Sequence, residues 1–209
     1  QRRRVNMANN KHEKLFVGLT FRSDSALSKK IDGFRKRFDP KYRQHSFLHM
    51  SMLAPFEIEE KDIIDVKEQL KEELETFFYG LDSGPKLAFT GVNFTQTKKF
   101  NTVYLKPNYT TDLDYCMELV QDICKSFIPR GVKYKPNPKQ FLPLGHFKED
   151  EPLLEVMDAI REEFSSNSEL TITGISLFRK KYGIWNIEDR LISFNSLKDN
   201  FLQSHDASL

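Results

Sequence analysis

The sequence lacks any apolar run of the roughly 20 residues that a membrane-spanning helix requires, and it has no signal-peptide hydrophobic segment near its start. We therefore expect neither membrane insertion nor export. It also lacks a strong charge of one sign, because 32 Lys and Arg residues stand against 30 Asp and Glu residues, for a formal net charge of +2. This balance argues against a protein that holds duplex nucleic acid by bulk electrostatics, although it permits a local basic groove.

Cysteine is scarce as well. Cys116 and Cys124 cannot form a disulfide framework, and their spacing in a helix-like stretch suits two buried thiols better than a metal site. The five histidines are scattered without the spacing of metal ligands, and the sequence has no HExxH motif, P-loop, dinucleotide fingerprint or nucleophile elbow. We therefore predict a reduced compartment, cytoplasmic or nuclear, and no metal or other cofactor.

The residues that are present are typical of a globular protein. Of the 209 residues, 39% are hydrophobic and 30% are charged, which suits one core or two closely packed lobes. Residues 1–12 are polar and unpatterned and are predicted to be a disordered lead. Residues 13–197 are predicted to form a single bilobal domain, residues 198–209 to be a tail, and the protein to be a monomer.

Hydrophobic periodicity predicts the order of helices and strands. Apolar residues recurring every three or four positions predict four helices, near residues 25–38, 59–79, 111–128 and 152–164. Short apolar or alternating runs predict strands at 14–21, 47–56, 86–94, 102–106, 141–147, 170–178 and 184–194. The order, βαβαβ followed by βαβαββ, predicts an α+β fold built from two similar halves.

The predicted strand 47–56 carries two polar side chains on one face. Because side chains alternate along a strand, His49 and Ser51 lie side by side among apolar neighbours. Burying both without partners would cost about 1–3 kcal/mol each, so they must either find partners or line a wet cleft. An imidazole can act as a general acid or base near neutral pH, and a hydroxyl can bind a phosphate oxygen. Taken alone, the motif still favours a buried histidine whose hydrogen bonds are satisfied.

The segment 49–56 (HMSMLAPF) resembles the H-x-[ST]-x motif and its surroundings in the 2H phosphoesterases, the superfamily of bacterial 2′-5′ RNA ligases and cyclic phosphodiesterases. The resemblance extends over most of residues 14–195. It implies two pseudo-symmetric antiparallel-sheet lobes with outer helices, in which two such motifs face each other across a central cleft. It also implies that one histidine acts as a base and the other as an acid on a 2′,3′-cyclic phosphate or a 2′-5′ bond, without a metal. His49 and Ser51 would then be catalytic.

The second motif departs from the family pattern P-H-φ-T-φ-G, where φ is apolar. It should fall near residue 141, where the sequence over 141–147 reads FLPLGHF. The register that keeps the apolar-Gly ending puts Phe141 at the histidine position and Pro143 at the hydroxyl position. A second register puts Leu144 and His146 at these positions, and a third puts His146 and Lys148 there.

This departure leaves the activity open. A positioned acid or base contributes typically 10²–10⁴-fold to the rate, which would be lost unless His146 or Lys148 substitutes. We predict His146 as the second catalytic histidine, beside His49 and Ser51. Phe141 would instead offer a ring for base stacking, at ~1–3 kcal/mol per base. Tyr182 and Trp185, beside the cations of a predicted hairpin turn, are further candidates for contacts with nucleic acid. The sequence therefore predicts an RNA end or a small nucleotide as the ligand of either a phosphodiesterase or a module that binds without turnover. A protein-interaction domain with a vestigial cleft is a third reading.

Overall fold

The computed structural model describes most of the chain. Its described residues are 11–40, 42, 48–81, 83–97, 101–134, 141–147, 153–164 and 168–194. The predicted tail 198–209 and all but the end of the predicted lead 1–12 lie outside these residues, and the first strand already begins at His12.

Eight strands and four α-helices form within this part of the chain. The strands are β1 (His12–Phe21), β2 (His49–Ser51), β3 (Phe56–Glu59), β4 (Lys86–Gln96), β5 (Asn101–Asn108), β6 (Leu142–Phe147), β7 (Ser168–Lys181) and β8 (Ile184–Ser193). The helices are α1 (Ala26–Phe38), α2 (Ile63–Phe77), α3 (Thr111–Ser126) and α4 (Leu153–Glu163). The α+β class is confirmed. No helix among the described residues has the length and apolar character needed to cross a membrane.

Local sequence explains where the helices begin. The Ser25 hydroxyl accepts a hydrogen bond from the backbone N–H of Ser28, and the Thr110 hydroxyl accepts one from that of Leu113. These bonds satisfy backbone donors that have no partner within the first turn of α1 and α3. Along α2 the buried residues recur every three or four positions, which is the periodicity that predicted the helix.

The prediction of one strand over residues 47–56 is wrong. The chain pairs with β1 over β2, bends at Met52 and Leu53, and pairs with β1 again over β3. Met52 and Leu53 are both buried, although they are adjacent and a regular strand would point them to opposite faces. Pro55, which has no backbone N–H to donate, lies in the interruption.

The strands form one antiparallel sheet in the order β2-β1-β7-β4-β5-β6, with β3 beside β1 and β8 beside β7. The long strand β7 joins the two parts of the sheet, because its residues 168–171 pair with β4 and its residues 172–179 pair with β1. The order is symmetric about its centre. Strand β2 at one edge corresponds to β6 at the other, β1 corresponds to β5, and β7 corresponds to β4. The two halves of the chain therefore contribute equivalent strands, while their division into two lobes stays a prediction.

One face of this sheet shares a hydrophobic core with the helices. Buried residues of this core include Leu15, Val17, Leu19, Ile31, Met50, Val66, Leu70, Val103, Leu105, Val120, Leu142, Leu144, Ile160, Ile175 and Leu177. Side chains alternate along each strand, so the residues between these lie on the opposite face. On β2, Met50 belongs to the core, and His49 and Ser51 lie on the opposite face.

The two edge strands of the sheet approach each other. Five strand spacings separate β2 from β6, which would put them about 24 Å apart in a flat sheet. Cα atoms of the two strands instead come within 8 Å of each other. The sheet is therefore strongly curved, and its curvature brings together the two strands in which the sequence predicts the two motifs.

Gly174 allows the close approach of β7 and β8. A Cβ atom at this position would lie 2.3 Å from the carbonyl oxygen of Ile192, so that the backbone would have to move. We expect Gly174→Ala to lower the free energy of unfolding by about 1–3 kcal/mol, measured by urea denaturation. Gly33→Ala is the control: nothing lies within 4 Å of its Cβ position in α1, and alanine favours the helix by about 0.5–1 kcal/mol. Equal stability of the two variants would contradict this account.

Candidate active site

The first motif lies on the edge strand β2, in a fixed register with β1. His49 is opposite Thr20, and Ser51 is opposite Gly18. Both motif side chains are partly exposed on the face that points away from the helical core. The structure therefore places the predicted pair side by side on one face.

Aromatic rings hold the imidazole of His49. Its ring centroid lies 5.2 Å from that of Phe16 and 5.5 Å from that of Phe178. Phe16 and Phe178 stack on each other across β1 and β7 at 4.5 Å, and Trp185 meets Phe16 edge-on at 4.7 Å. Gly18 leaves room for this packing, since a Cβ there would lie 3.1 Å from each phenylalanine ring. The orientation of His49 is thus set by rigid neighbours.

A hollow of about 1080 Å³ opens beside His49. Its wall includes Leu48 and Thr20, the neighbours of His49 along the chain and across the strand pair. Most of the other polar groups on the wall are hydroxyls, among them those of Thr171, Thr173, Ser176 and Ser193. The charged groups are the cations Arg22, Lys29 and Arg190 and the carboxylates Asp24 and Asp32. Hydroxyl donors and cations around a hollow suit a ligand that carries phosphate.

Ser176 and Arg190 continue a row of residues that begins at Ser51. Gly18 lies opposite both Ser51 and Ser176, and Ser176 lies opposite Arg190 on β8. The Arg190 side chain makes no ion pair or hydrogen bond within the part of the chain that the structure describes. Sequence reasoning missed both residues. Alternation along β7 places Ser176 on the face opposite that of Leu177, which belongs to the core, but only strand pairing shows that this face continues from Ser51 and includes Arg190.

An aromatic stack occupies the beginning of the second motif. The ring of Phe141 stacks on that of Tyr104, with centroids 4.2 Å apart and planes inclined at 26°. Pro143 pairs with Tyr104 and lies on the same face of the sheet, since Leu142 and Leu144 are buried in the core. In the first register, the histidine position of the second motif is thus filled by a stacked ring.

His146 shares this face because β6 contains an irregularity. The pairing with β5 shifts by one residue, so that Tyr104 lies opposite Pro143 and Thr102 lies opposite His146. Residues two apart on β5 share a face, and their partners do so as well. The Nδ1 atom of His146 lies 2.9 Å from Oδ1 of Asp39, the residue that follows α1. The His146 side chain is 20% exposed and that of Asp39 is 4% exposed.

Two of the remaining predicted ligand contacts, Tyr182 and Trp185, do not present their rings at this site. Lys148 lies outside the described residues. Tyr182 lies at the tip of the β7–β8 turn with a left-handed φ of 53° and its whole side chain exposed. Trp185 is 7% exposed and packs on Phe16, which leaves little of its ring open to a base. Trp185 therefore packs against the Phe16 ring that contacts His49.

Arg179, which lies on β7 shortly before the β7–β8 turn, forms ion pairs with three glutamates. Arg179 contacts Glu13 at 3.1 Å, Glu60 at 2.8 Å and Glu188 at 3.5 Å. These contacts connect β1, β7 and β8. The guanidinium of Arg179, with Lys11, lowers the pKa of Glu13 to about 2.

The two cysteines are buried and form no disulfide, as the sequence predicts. Burial raises the pKa of the Cys116 thiol to about 12, so that it is not a nucleophile at neutral pH. Across the described residues, no group of three or more His, Cys, Asp or Glu side chains is placed to hold a metal ion.

Comparison with known proteins identifies the family. The model of the 2′-5′ RNA ligase superfamily matches residues 23–183, so the chain belongs to that superfamily, which the motif at 49–56 had indicated. A candidate phosphoesterase of Staphylococcus haemolyticus is 28% identical over 107 residues, 49% of this chain and 57% of its own. One from Staphylococcus aureus strain JH1 is 29% identical over 100 residues, 48% of this chain and 55% of its own. The matches thus span little more than half the length of these relatives.

Two solved structures share the fold. Usb1 of Kluyveromyces marxianus superposes with a TM-score of 0.51 at 15% identity, covering 78% of this chain and 92% of its own. LigT of Escherichia coli, in a complex with 3′-AMP, gives a TM-score of 0.50 at 11% identity, covering 86% of this chain and 97% of its own. At these identities the likeness establishes the fold alone.

Because Glu13 is ion-paired in the folded protein, the free energy of unfolding should decrease at acidic pH. The pKa of Glu13 is about 2 in the folded protein against an ordinary value of 4.5, so the ionised carboxylate stabilises the fold above about pH 5. This stabilisation is lost as the pH falls from about 5 to 2. In urea unfolding at several pH values, we expect Glu13→Gln to reduce the slope in this window by at most about 1.4 kcal/mol per pH unit. Glu75→Gln, on the exposed side of α2, is the control, and a wild-type slope in Glu13→Gln would contradict the prediction.

Proposed function

We propose that this protein is a metal-independent phosphodiesterase that acts on an RNA end or a small nucleotide, at a 2′,3′-cyclic phosphate or a 2′-5′ bond. The observation that carries the proposal is the placement of His49 and Ser51 on one open face, beside a hollow lined by hydroxyls and Arg190. Membership of the 2′-5′ RNA ligase superfamily supports it. The 3′-AMP bound to E. coli LigT supports a nucleotide as the ligand.

In this proposal each polar group has a chemical role. His49, oriented by Phe16 and Phe178, takes a proton from the attacking water. The Ser51 hydroxyl donates a hydrogen bond to a non-bridging phosphate oxygen, and Arg190 balances the negative charge. We place the protein as a monomer in the cytoplasm or nucleus, where its two cysteines would stay reduced.

Replacement of His49 tests the activity. An oligoribonucleotide ending in a 2′,3′-cyclic phosphate is incubated with the protein in EDTA, and ring opening is followed by chromatography. We expect His49→Ala to lower kcat/KM by about 10²–10⁴-fold, because a general base is lost, while the unfolding transition is unchanged. His12→Ala, which removes an exposed histidine of β1, is the control and should retain the wild-type rate.

A wild-type protein that opens no such end, and cleaves no 2′-5′-linked oligonucleotide, would contradict the proposed activity. Activity that disappears in EDTA and returns with a divalent metal would contradict its independence of metals.

The stack of Phe141 on Tyr104 favours a second candidate function, a nucleotide-binding module without turnover. Both functions require the stack to bind a base, so we expect Phe141→Ala to weaken the binding of a 3′-phosphorylated oligoribonucleotide by about 5- to 150-fold, the equivalent of ~1–3 kcal/mol. Phe141→Trp should retain affinity, and Tyr115→Ala, an exposed aromatic of α3, should leave it unchanged. Fluorescence anisotropy measures all three, and wild-type affinity in Phe141→Ala would contradict base stacking.

A further inference from the structure

We propose that His146 and Asp39 form the second proton-transfer unit of this site, with His146 as a catalytic residue and Asp39 as its positioning residue. The inference rests on the proposed phosphodiesterase function. It places the second histidine five positions beyond Phe141, which the first register puts at the histidine position, and it assigns a role to a carboxylate at the end of α1.

The irregularity of β6 carries the first step. In an unbroken strand, Phe141, Pro143 and Gly145 would share one face and His146 would point into the core. Because the register with β5 shifts between Pro143 and Gly145, the alternation of side chains is reversed beyond Leu144. His146 therefore lies on the same face as Pro143. Bulges are known to re-aim side chains in this way next to active sites. His146 thereby comes onto the face that His49 occupies.

The approach of the edge strands carries the second step. His146 is on β6 and His49 is on β2, and Cα atoms of these strands come within 8 Å. In this proposal, a phosphodiester held between the two strands meets a histidine from each side.

The contact with Asp39 carries the third step. Asp39 is 4% exposed, its backbone N–H is bound to the carbonyl of Arg35, and its carboxylate lies 2.9 Å from Nδ1 of His146. The cation of Arg35, which is also buried, lies near Asp39. An ionised carboxylate only accepts hydrogen bonds, so Nδ1 of His146 donates and Nε2 is the nitrogen that exchanges a proton. A carboxylate that fixes a histidine tautomer is a recurring arrangement in acid–base catalysis.

Apolar packing already joins α1 to β6. A Cβ on Gly145 would lie 3.0 Å from Cβ of Phe38, and the rings of Phe38 and Phe147 are 5.2 Å apart. A buried ion pair adds little net stability to such a contact.

The proposed step balances as follows. Water attacks phosphorus and gives a proton to His49, while one bond between phosphorus and a ribose oxygen breaks. That ribose oxygen takes a proton from Nε2 of His146, leaving a phosphomonoester beside a hydroxyl. Solvent then takes the proton from His49 and returns one to His146.

A change of leaving group tests this role. The oligonucleotide with a 2′,3′-cyclic phosphate is compared with analogues in which sulfur replaces the bridging 2′ or 3′ oxygen. A thiolate leaves without being protonated, so His146→Gln should lose about 10²–10⁴-fold in kcat on the oxygen substrate and much less on the sulfur analogue whose P–S bond breaks. His49→Gln should lose equally on both. A purely structural role for His146 would lower both rates alike, which would overturn the proposal.

The tautomer of His146 tests the role of Asp39 without requiring turnover. In protein labelled with ¹⁵N-histidine, the neutral His146 ring should carry its proton on Nδ1, with the resonance assigned by its loss in His146→Gln. Asp39→Asn should lose this fixed tautomer and at least about tenfold in kcat, with little change in KM. Asp158→Asn, on the exposed side of α4, is the control. A wild-type ring protonated on Nε2 overturns the proposal, even if Asp39→Asn does not fold.

The two proposals fail in different ways. If the wild type opens no phosphodiester, the proposed function fails and this inference fails with it. If ring opening requires His49 but His146→Gln keeps the full rate, the phosphodiesterase stands and only the dyad is rejected.

Discussion

The antiparallel pairing of β1 with β7 is the interaction on which the rest of the structure depends. It joins a strand near the beginning of the chain to one near its end, with Leu15 opposite Arg179 and Leu19 opposite Ile175. The stack of Phe16 on Phe178 crosses this pair, and so does the ion pair of Arg179 with Glu13. Because β2 is bound to the other side of β1, the same pairing sets the position of the first motif relative to β7 and β8. The row from Ser51 to Arg190 exists only because of it.

The two halves of the chain have equivalent strands but different chemistry. In the first half, a three-residue strand presents His49 and Ser51 directly. In the second half, the equivalent edge strand presents a phenylalanine and a proline, and a shift in pairing brings His146 to the same face. An aromatic ring at the motif position and a histidine further along β6 can be accommodated together because one residue is added to the strand. In the proposed dyad, the departure of the second motif from the family pattern is a change in the position of the histidine as much as a loss.

Much of the fold could be predicted from the sequence because its signals are local. The apolar face of α2 and the alternation around His49 depend on spacing along the chain, and both were predicted. The single strand over 47–56 was not correct, because the burial of both Met52 and Leu53 depends on helices and strands that are distant in sequence. Ser176 and Arg190 were missed for the same reason. The first register was preferred for His146's segment because it keeps the apolar-Gly ending and the spacing from His49, whereas the irregularity that brings His146 to the face of Pro143 is visible only in the pairing with β5.

The spacing of the groups in the second half bears on the ligand. Phe141 and His146 are five positions apart on β6, which corresponds to about 15 Å. This is longer than one nucleotide, so a phosphate at His146 and a base stacked on Phe141 belong to different nucleotides. Within the proposed function, a mononucleotide could use only one of these contacts, whereas an oligoribonucleotide could use both. The hollow beside His49, at about 1080 Å³, is also large for one nucleotide. Within the proposed function, one substrate would therefore need both the base stack and the proton transfer, and this spacing favours the end of an RNA strand over a small nucleotide as that substrate.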